Sequence, residues 1–170
     1  ATPCIHGGLT ISFYDETKSR WIYKKIETNG DLNIMTFVPN FISETNQSRK
    51  KIPSKVLLKD AVNNMSRVAL LIDSLKSGDY SYLKSATEDF LHQNIRLESF
   101  PQIKFLMGAA IEAGALGAIL SGSGPTLMVF TKGKEFTIDY ELKEAARKHN
   151  LEGQITLTKI SNKGINIINE

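Results

Sequence analysis

Cysteine, histidine and tryptophan are scarce in this chain of 170 residues, with one, three and one copies respectively. A single cysteine excludes an internal disulfide and any cysteine-rich metal site. Cys4 is therefore expected as a small buried hydrophobe in a reducing, cytoplasmic setting. His6, His92 and His149 stand far apart, without His-x-x-x-His or Glu-x-x-His spacing, and no metal ligation is expected from them. No apolar run approaches the roughly 18 residues that crossing a bilayer demands. The opening at Ala1 shows neither a basic n-region nor an apolar h-region, so neither a membrane partner nor a secretion signal is expected. Charge of one sign is lacking too: 21 basic against 18 acidic residues leave a net +3. That balance is too mild to announce a nucleic-acid partner, yet it suits a protein that handles small anions. The nucleophile elbow, the Rossmann glycine fingerprint and any 20- to 50-residue repeat are absent as well.

What remains is ordinary globular material, 41% hydrophobic and 23% charged, enough for one domain or a domain and part of another. Leu9, Ile11 and Phe13 alternate with Thr10 and Ser12 after the Gly7-Gly8 pair, the pattern of a half-buried strand. Residues 21–26 and 32–38 read as two more strands around the turn-like Asn29-Gly30-Asp31. The period then changes. Leu58, Ala61, Val62, Met65, Val68, Ala69, Ile72 and Leu75 recur at three- and four-residue steps, the apolar stripe of a long helix that Gly78 should stop. Asp79 or Ser81 is placed to cap a second helix with Leu83, Ala86, Phe90 and Leu91 inward. Pro101 suits the first turn of a third, with Ile103, Leu106, Met107, Ala110 and Ile111 buried and Gly114 closing it. Strands over 118–120 and 126–131, a charged helix over 139–149, and strands over 154–160 and 165–168 complete an α+β design with helices on one face of an antiparallel sheet.

Three stretches carry candidate chemistry. "GALGAILSGSGPTLMVF", Gly114 to Phe130, sets Ser121, Gly122, Ser123 and Gly124 between two apolar runs. Such a turn lets backbone N–H groups approach an anion without a Cβ in the way, although a plain tight hairpin reads the same. Arg49, Lys50 and Lys51, beside Thr45 and Ser48, form the densest positive cluster, able to clamp a carboxylate or phosphate or merely to line a solvated helix face. "LHQNIR", Leu91 to Arg96, offers His92, Gln93, Asn94 and Arg96 at what looks like a helix end, where Arg96 would answer the helix dipole. On these residues alone the reading ends at an anion-binding α+β domain.

The same stretches carry a family. "GALGAILSGSGPT" resembles the third motif of the kinases named for galactose, homoserine, mevalonate and phosphomevalonate. "ETNQSRKKIPSKVLLKDAVNNMSRVALL" and "EDFLHQNIR" are similar to the homoserine kinase branch, which runs T-x-x-x-R-x-x-L-P and L-H-Q-P-Y-R. Ile52 stands for the leucine and Asn94-Ile95 for Pro-Tyr, while both arginines are kept. "ATPCIHGGLTISFYD" resembles the segment after that branch's His-Pro-Asp-Asn signature, written A-P-A-x-x-G-G.

The resemblance implies a C-terminal half: residues 1–26 ending an upstream ATP-binding domain like ribosomal protein S5, and residues 27–170 forming a ferredoxin-like domain. It implies ATP, Mg2+ and L-homoserine as the enzyme's ligands, in threonine biosynthesis in the cytoplasm. Arg49 and Arg96 match the arginines that hold the amino acid's carboxylate, Thr45 the motif's threonine, and Ser121 to Gly124 the loop over the transferring phosphate. The ATP loop, the magnesium ligands and the catalytic aspartate are expected upstream of Ala1, in the other half of the enzyme, so this chain alone should be inactive. A homodimer is compatible with the resemblance. The rivals are another kinase of the superfamily, acting on a cytidyl-diphospho-methylerythritol, and a non-catalytic amino-acid-binding domain; the paired arginines suit a carboxylate better than a polyol.

Overall fold

A computed structural model describes residues 2–28, 31–41 and 52–166. The chain opens with a single helical turn, α1 (Thr2–His6), which none of the readings above anticipated, and a hairpin of β1 (Leu9–Asp15) and β2 (Arg20–Ile26). The strands pair antiparallel from Leu9↔Ile26 to Asp15↔Arg20. Asp15 shapes the turn by accepting the N–H of Thr17 and of Lys18, at 3.1 and 3.2 Å. α1 buries no residue, and Cys4 is exposed on it rather than buried: a one-turn helix lying on the hairpin has no core of its own. His6 stacks on Tyr23, ring centroids 3.8 Å apart. Gly7, at φ +72, lies where a Cβ would come within 2.5 Å of the carbonyl carbon of Lys163. The glycine pair thus lets residues 161–163 pass close by, and Gly8 N–H donates to the Ser161 carbonyl at 2.6 Å.

The second sheet is built on β3 (Asn33–Pro39), flanked by β5 (Leu127–Thr131) and β6 (Gly153–Lys159), with β4 (Gly117–Leu120) outside β5. The order β4-β5-β3-β6 is antiparallel throughout, the ferredoxin-like arrangement. The first crossover, from β3 to β4, carries α2 (Leu58–Ser77), α3 (Leu83–Ala86), α4 (Gln93–Leu97) and α5 (Pro101–Glu112); the second is α6 (Glu135–Lys148). α5 and α6 cover one face. Ile103, Leu106 and Ala110 of α5 and Ile138, Leu142 and Ala146 of α6 close over Met35, Phe37, Leu127 and Val129.

The opposite face is not bare. Because strand side chains alternate, Ile34 and Phe130 point away from that core and meet Leu75 at the end of α2, Tyr80 and Leu83. Tyr80 Oη donates to Asp31 at 2.7 Å, and Lys132 pairs with the other oxygen of that carboxylate, so the exit of α2 is tied to the entry of β3 and the exit of β5. Burial and the adjoining Asp31 carboxylate push the Tyr80 hydroxyl up to about 12.

Several expected elements are where the pattern put them, and others are not. Gly78 ends α2 in the left-handed conformation at φ +79, and Pro101 opens α5. The second helix is broken: α3 lasts four residues, its N-cap is Tyr82 without a side-chain bond, and Asp79 instead accepts Ser81 N–H at 3.0 Å in a local turn. Phe90 is 44% exposed rather than inward. α6 begins four residues earlier than the pattern indicated, at Glu135, whose carboxylate accepts Gly133 N–H at 3.0 Å and Asn33 Nδ2–H at 2.8 Å. No strand forms at Ile165 or Asn166, and residues 167 and 168 lie outside the described residues. The stripe of α2 is only half used: Leu75 is buried, whereas Val62, Val68 and Met65 stay exposed, Met65 at 64%.

Leu106 sits fully buried between α5 and the sheet. Leu106→Ala should lower the free energy of unfolding by about 2–5 kcal/mol through lost transfer energy and a cavity. Chemical denaturation followed by circular dichroism checks this.

Candidate functional site

The break between α3 and α4 creates the site. Asn64, half-buried on α2, accepts the Phe90 N–H on Oδ1 at 2.8 Å and so holds the broken segment against the long helix. Beside it Arg67 pairs with Glu88 at 2.9 Å and lies over the Phe90 ring, 4.5 Å from its centroid. This explains the exposure of Phe90: its ring serves as a face for a cation. Asp89 turns inward and accepts Leu91 N–H and His92 N–H at 2.6 and 2.9 Å, while His92 Nδ1 stands 2.7 Å from its other oxygen. Burial alone would raise this carboxyl, but the His92 ring and the two N–H groups outweigh it and hold it well below the usual carboxylate range.

"LHQNIR" is therefore the start of a helix, not its end, with His92 at the N-cap of α4 and Arg96 in its last turn. Gln93 is buried and its Oε1 accepts the Leu120 N–H at 2.8 Å. Arg96 lies one turn further along, and its Nη1 donates to the Gly122 carbonyl at 2.5 Å. Its Nε is buried and finds no hydrogen-bond acceptor among the described residues. A guanidinium with one edge on the loop and a donor unspent has capacity for a further acceptor, such as a carboxylate.

The loop itself is closed at its base by Ser121 N–H to the Thr126 carbonyl at 2.8 Å, and Gly124 N–H donates back to Ser121 at 3.2 Å. Gly122 has φ +61 and a Cβ there would meet nothing within 4 Å. Its hydrogen therefore faces open space, and the positive φ strains any other residue. Ser121 and Gly122 are exposed, so the tip faces solvent beside Arg96.

The structure thus brings Arg96 and Ser121 to Gly124 together. Thr45 and Arg49, with Lys50 and Lys51, lie outside the described residues. Sequence reasoning passed over Asn64, Asp89 and the bond of Gln93 to Leu120; the only cue was an aspartate three residues ahead of His92, the spacing of a local turn. A cleft of about 200 Å³ runs between α2 and this segment, lined by Asn64, Arg67, Asp89, His92 and Leu120. A larger hollow of about 660 Å³ lies between α5 and α6, away from the loop. Among the described residues no group of three or more histidine, cysteine, aspartate or glutamate side chains is arranged to hold a metal ion, and no helix is long and apolar enough to cross a membrane.

Residues 71–152 match the family model described as GHMP kinases C terminal, a span that takes in Asp89, Gln93, Arg96 and the whole loop. This chain carries the C-terminal domain of the GHMP kinase family. Curated relatives that it resembles include homoserine kinases. It is 35% identical over 166 residues to the homoserine kinase of Clostridium beijerinckii, covering 98% of this chain and 55% of the relative. It is 40% identical over 133 residues to that of Moorella thermoacetica, covering 78% and 44%. The chain thus spans about half the length of the curated relatives it matches. Among solved structures, a homoserine kinase from Cytophaga hutchinsonii superposes with a TM-score of 0.86 at 23% identity, over 96% of this chain and 51% of that one. Mevalonate kinase of L. major follows at 0.65 and 16%, over 94% and 50%. These likenesses bear on the fold.

Asp89 supplies the prediction here. A carboxyl lowered on folding adds stability that is complete above its unfolded value, about 3.9, and is lost as pH falls toward the folded one. Asp89→Asn should therefore cost about 1–3 kcal/mol near pH 6, and its deficit against the parent should shrink below about pH 4. Urea unfolding across that range measures it.

Proposed function

We propose that this chain is the C-terminal part of a homoserine kinase, transferring the γ-phosphate of ATP to the side-chain hydroxyl of L-homoserine in threonine biosynthesis. The observation that carries the reading is Arg96, fixed on the Gly122 carbonyl with a buried Nε that finds no acceptor among the described residues. It sets a carboxylate-binding cation at the mouth of a loop able to receive phosphate oxygens on its N–H groups. Arg49 and Thr45 would complete the grip on the amino acid. Arginine held in this way orients the substrate so that the hydroxyl, not the amine, faces the phosphate. The curated relatives bear the name homoserine kinase, which supports the choice of substrate.

In this reading ATP and Mg2+ are bound mainly by an upstream half, which supplies the phosphate loop and the metal ligands, and the enzyme works in the cytoplasm. Residues 1–26 belong to that upstream domain and residues 27–170 to the C-terminal one. Two surfaces support such a partner. The β1–β2 hairpin exposes Ile11, Phe13, Tyr14, Tyr23 and Trp21, the last at 70%, and a lone two-stranded sheet is marginal in water. The unburied stripe of α2, Leu58, Val62, Met65 and Val68, is likewise the face of a helix that lacks a neighbour among the described residues.

Homoserine-dependent ADP formation, assayed for this chain alone and for this chain mixed with a matching upstream half, should appear only in the mixture. Inactivity of a mixture in which the two halves bind each other overturns the reading. In the joined enzyme Arg96→Ala should raise the homoserine KM about 10- to 100-fold, from the loss of a charge-assisted pair, with far less change for ATP. Equal effects on both substrates would remove Arg96 from the carboxylate site. Gly122→Val should lower kcat at least about tenfold by pushing the loop off the phosphate, while the far-ultraviolet circular dichroism stays that of the parent.

A further inference from the structure

We infer that Gln93 is a positioning residue for the phosphate-facing loop, a role that rests on the function proposed above. Among the described residues β4 is an edge strand, paired with β5 alone. Ser121 directs its N–H to Thr126 across that pair, so by the alternation of an antiparallel ladder the Leu120 N–H points the other way, off the sheet. Leu120 is buried there, where no water can take the proton of that bond. The Gln93 side-chain oxygen fills the gap at 2.8 Å, standing where the carbonyl of a further strand would stand.

Arg96 takes up the Gly122 carbonyl two residues later in the loop. Gln93 and Arg96 are three apart on α4 and so lie on one side of it. One short helix therefore grips the incoming limb of the loop at two points of opposite polarity, a donor at Leu120 and an acceptor at Gly122. The two grips differ in what substrate does to them. Arg96 also has a carboxylate to bind, whereas Gln93 is buried and engaged with backbone, and it keeps the limb in place whether or not the arginine is shared. Gln93 acts on phosphate transfer through the loop and leaves the amino acid's own contacts alone.

The test uses the joined, full-length enzyme with Gln93→Met, which keeps length and volume and removes the acceptor, and Gln93→Glu, which restores an acceptor oxygen. Gln93→Met should lower kcat about tenfold or more, since loop displacements of an ångström carry costs of that order. The homoserine KM should stay within about twofold, the opposite of the pattern for Arg96→Ala. Amide hydrogen exchange over residues 120–124 should quicken in Gln93→Met and return toward the parent in Gln93→Glu, along with kcat. Parental kcat in Gln93→Met, or a loss in kcat that Gln93→Glu does not restore, overturns the role. If the parent enzyme shows no homoserine-dependent ADP formation, the proposed function falls, while the exchange measurement still decides whether Gln93 holds the loop.

Discussion

The constraint on which the fold depends is the double pairing of β3. Asn33 to Phe37 pair with β5 on one side and all seven of its residues pair with β6 on the other, which leaves its side chains only two directions, up or down from the sheet. Met35 and Phe37 go to the core under α5 and α6; Ile34 goes to the smaller core beneath the end of α2. A one-residue slip would exchange these sets and place Thr36 in the main core. Everything that shapes the site hangs from this strand, because both crossovers start or finish against it.

The long first crossover has a division of labour. α5 is packing: it buries Ile103, Leu106 and Ala110 and presents no chemistry to the loop. α3 and α4, interrupted by the turn around Asp89, are too short to bury much, and polar side chains of α2, of that turn and of α4 go to backbone instead. Asn64 takes Phe90 N–H, Asp89 takes those of Leu91 and His92, Gln93 that of Leu120. Each of these N–H groups sits in a segment without regular ladder partners, and side chains supply what secondary structure does not. The polar character of "EDFLHQNIR" is thus mostly structural, and Arg96 too has one edge on backbone, at the Gly122 carbonyl.

Periodicity revealed the elements whose burial is complete. α5, β3, β4 and β5 follow the apolar spacing closely, since their pattern and their environment are both contained in this chain. The elements misjudged are those whose environment is not a plain core. A helix through Phe90 was expected because Leu83, Ala86, Phe90 and Leu91 follow helical spacing; the ring instead lies at the surface with Arg67 over its face. Cys4 was expected inside on its residue type, but a one-turn helix offers no inside. In the site, Arg96 and the glycines were singled out because they match the family's motifs, although on the residues alone a helix-dipole arginine and a plain hairpin read the same. Gln93 was not, because a buried amide announces nothing until the strand edge it serves is known.

The crossing of Gly8 with Ser161 has a mechanical meaning. The hairpin and β3 are consecutive in the chain, and a single covalent link would let the hairpin swing freely against the four-stranded sheet. Residues 161–165, following β6 back out of that sheet, meet the hairpin end at Gly8, at Lys25 and at Ile5, with Lys25 Nζ donating to the His6 and Asn162 carbonyls at 3.1 and 2.5 Å. These contacts tie the hairpin to the segment after β6 at a second place besides the chain link from β2 to β3, and so restrict how far the two sheets can move apart.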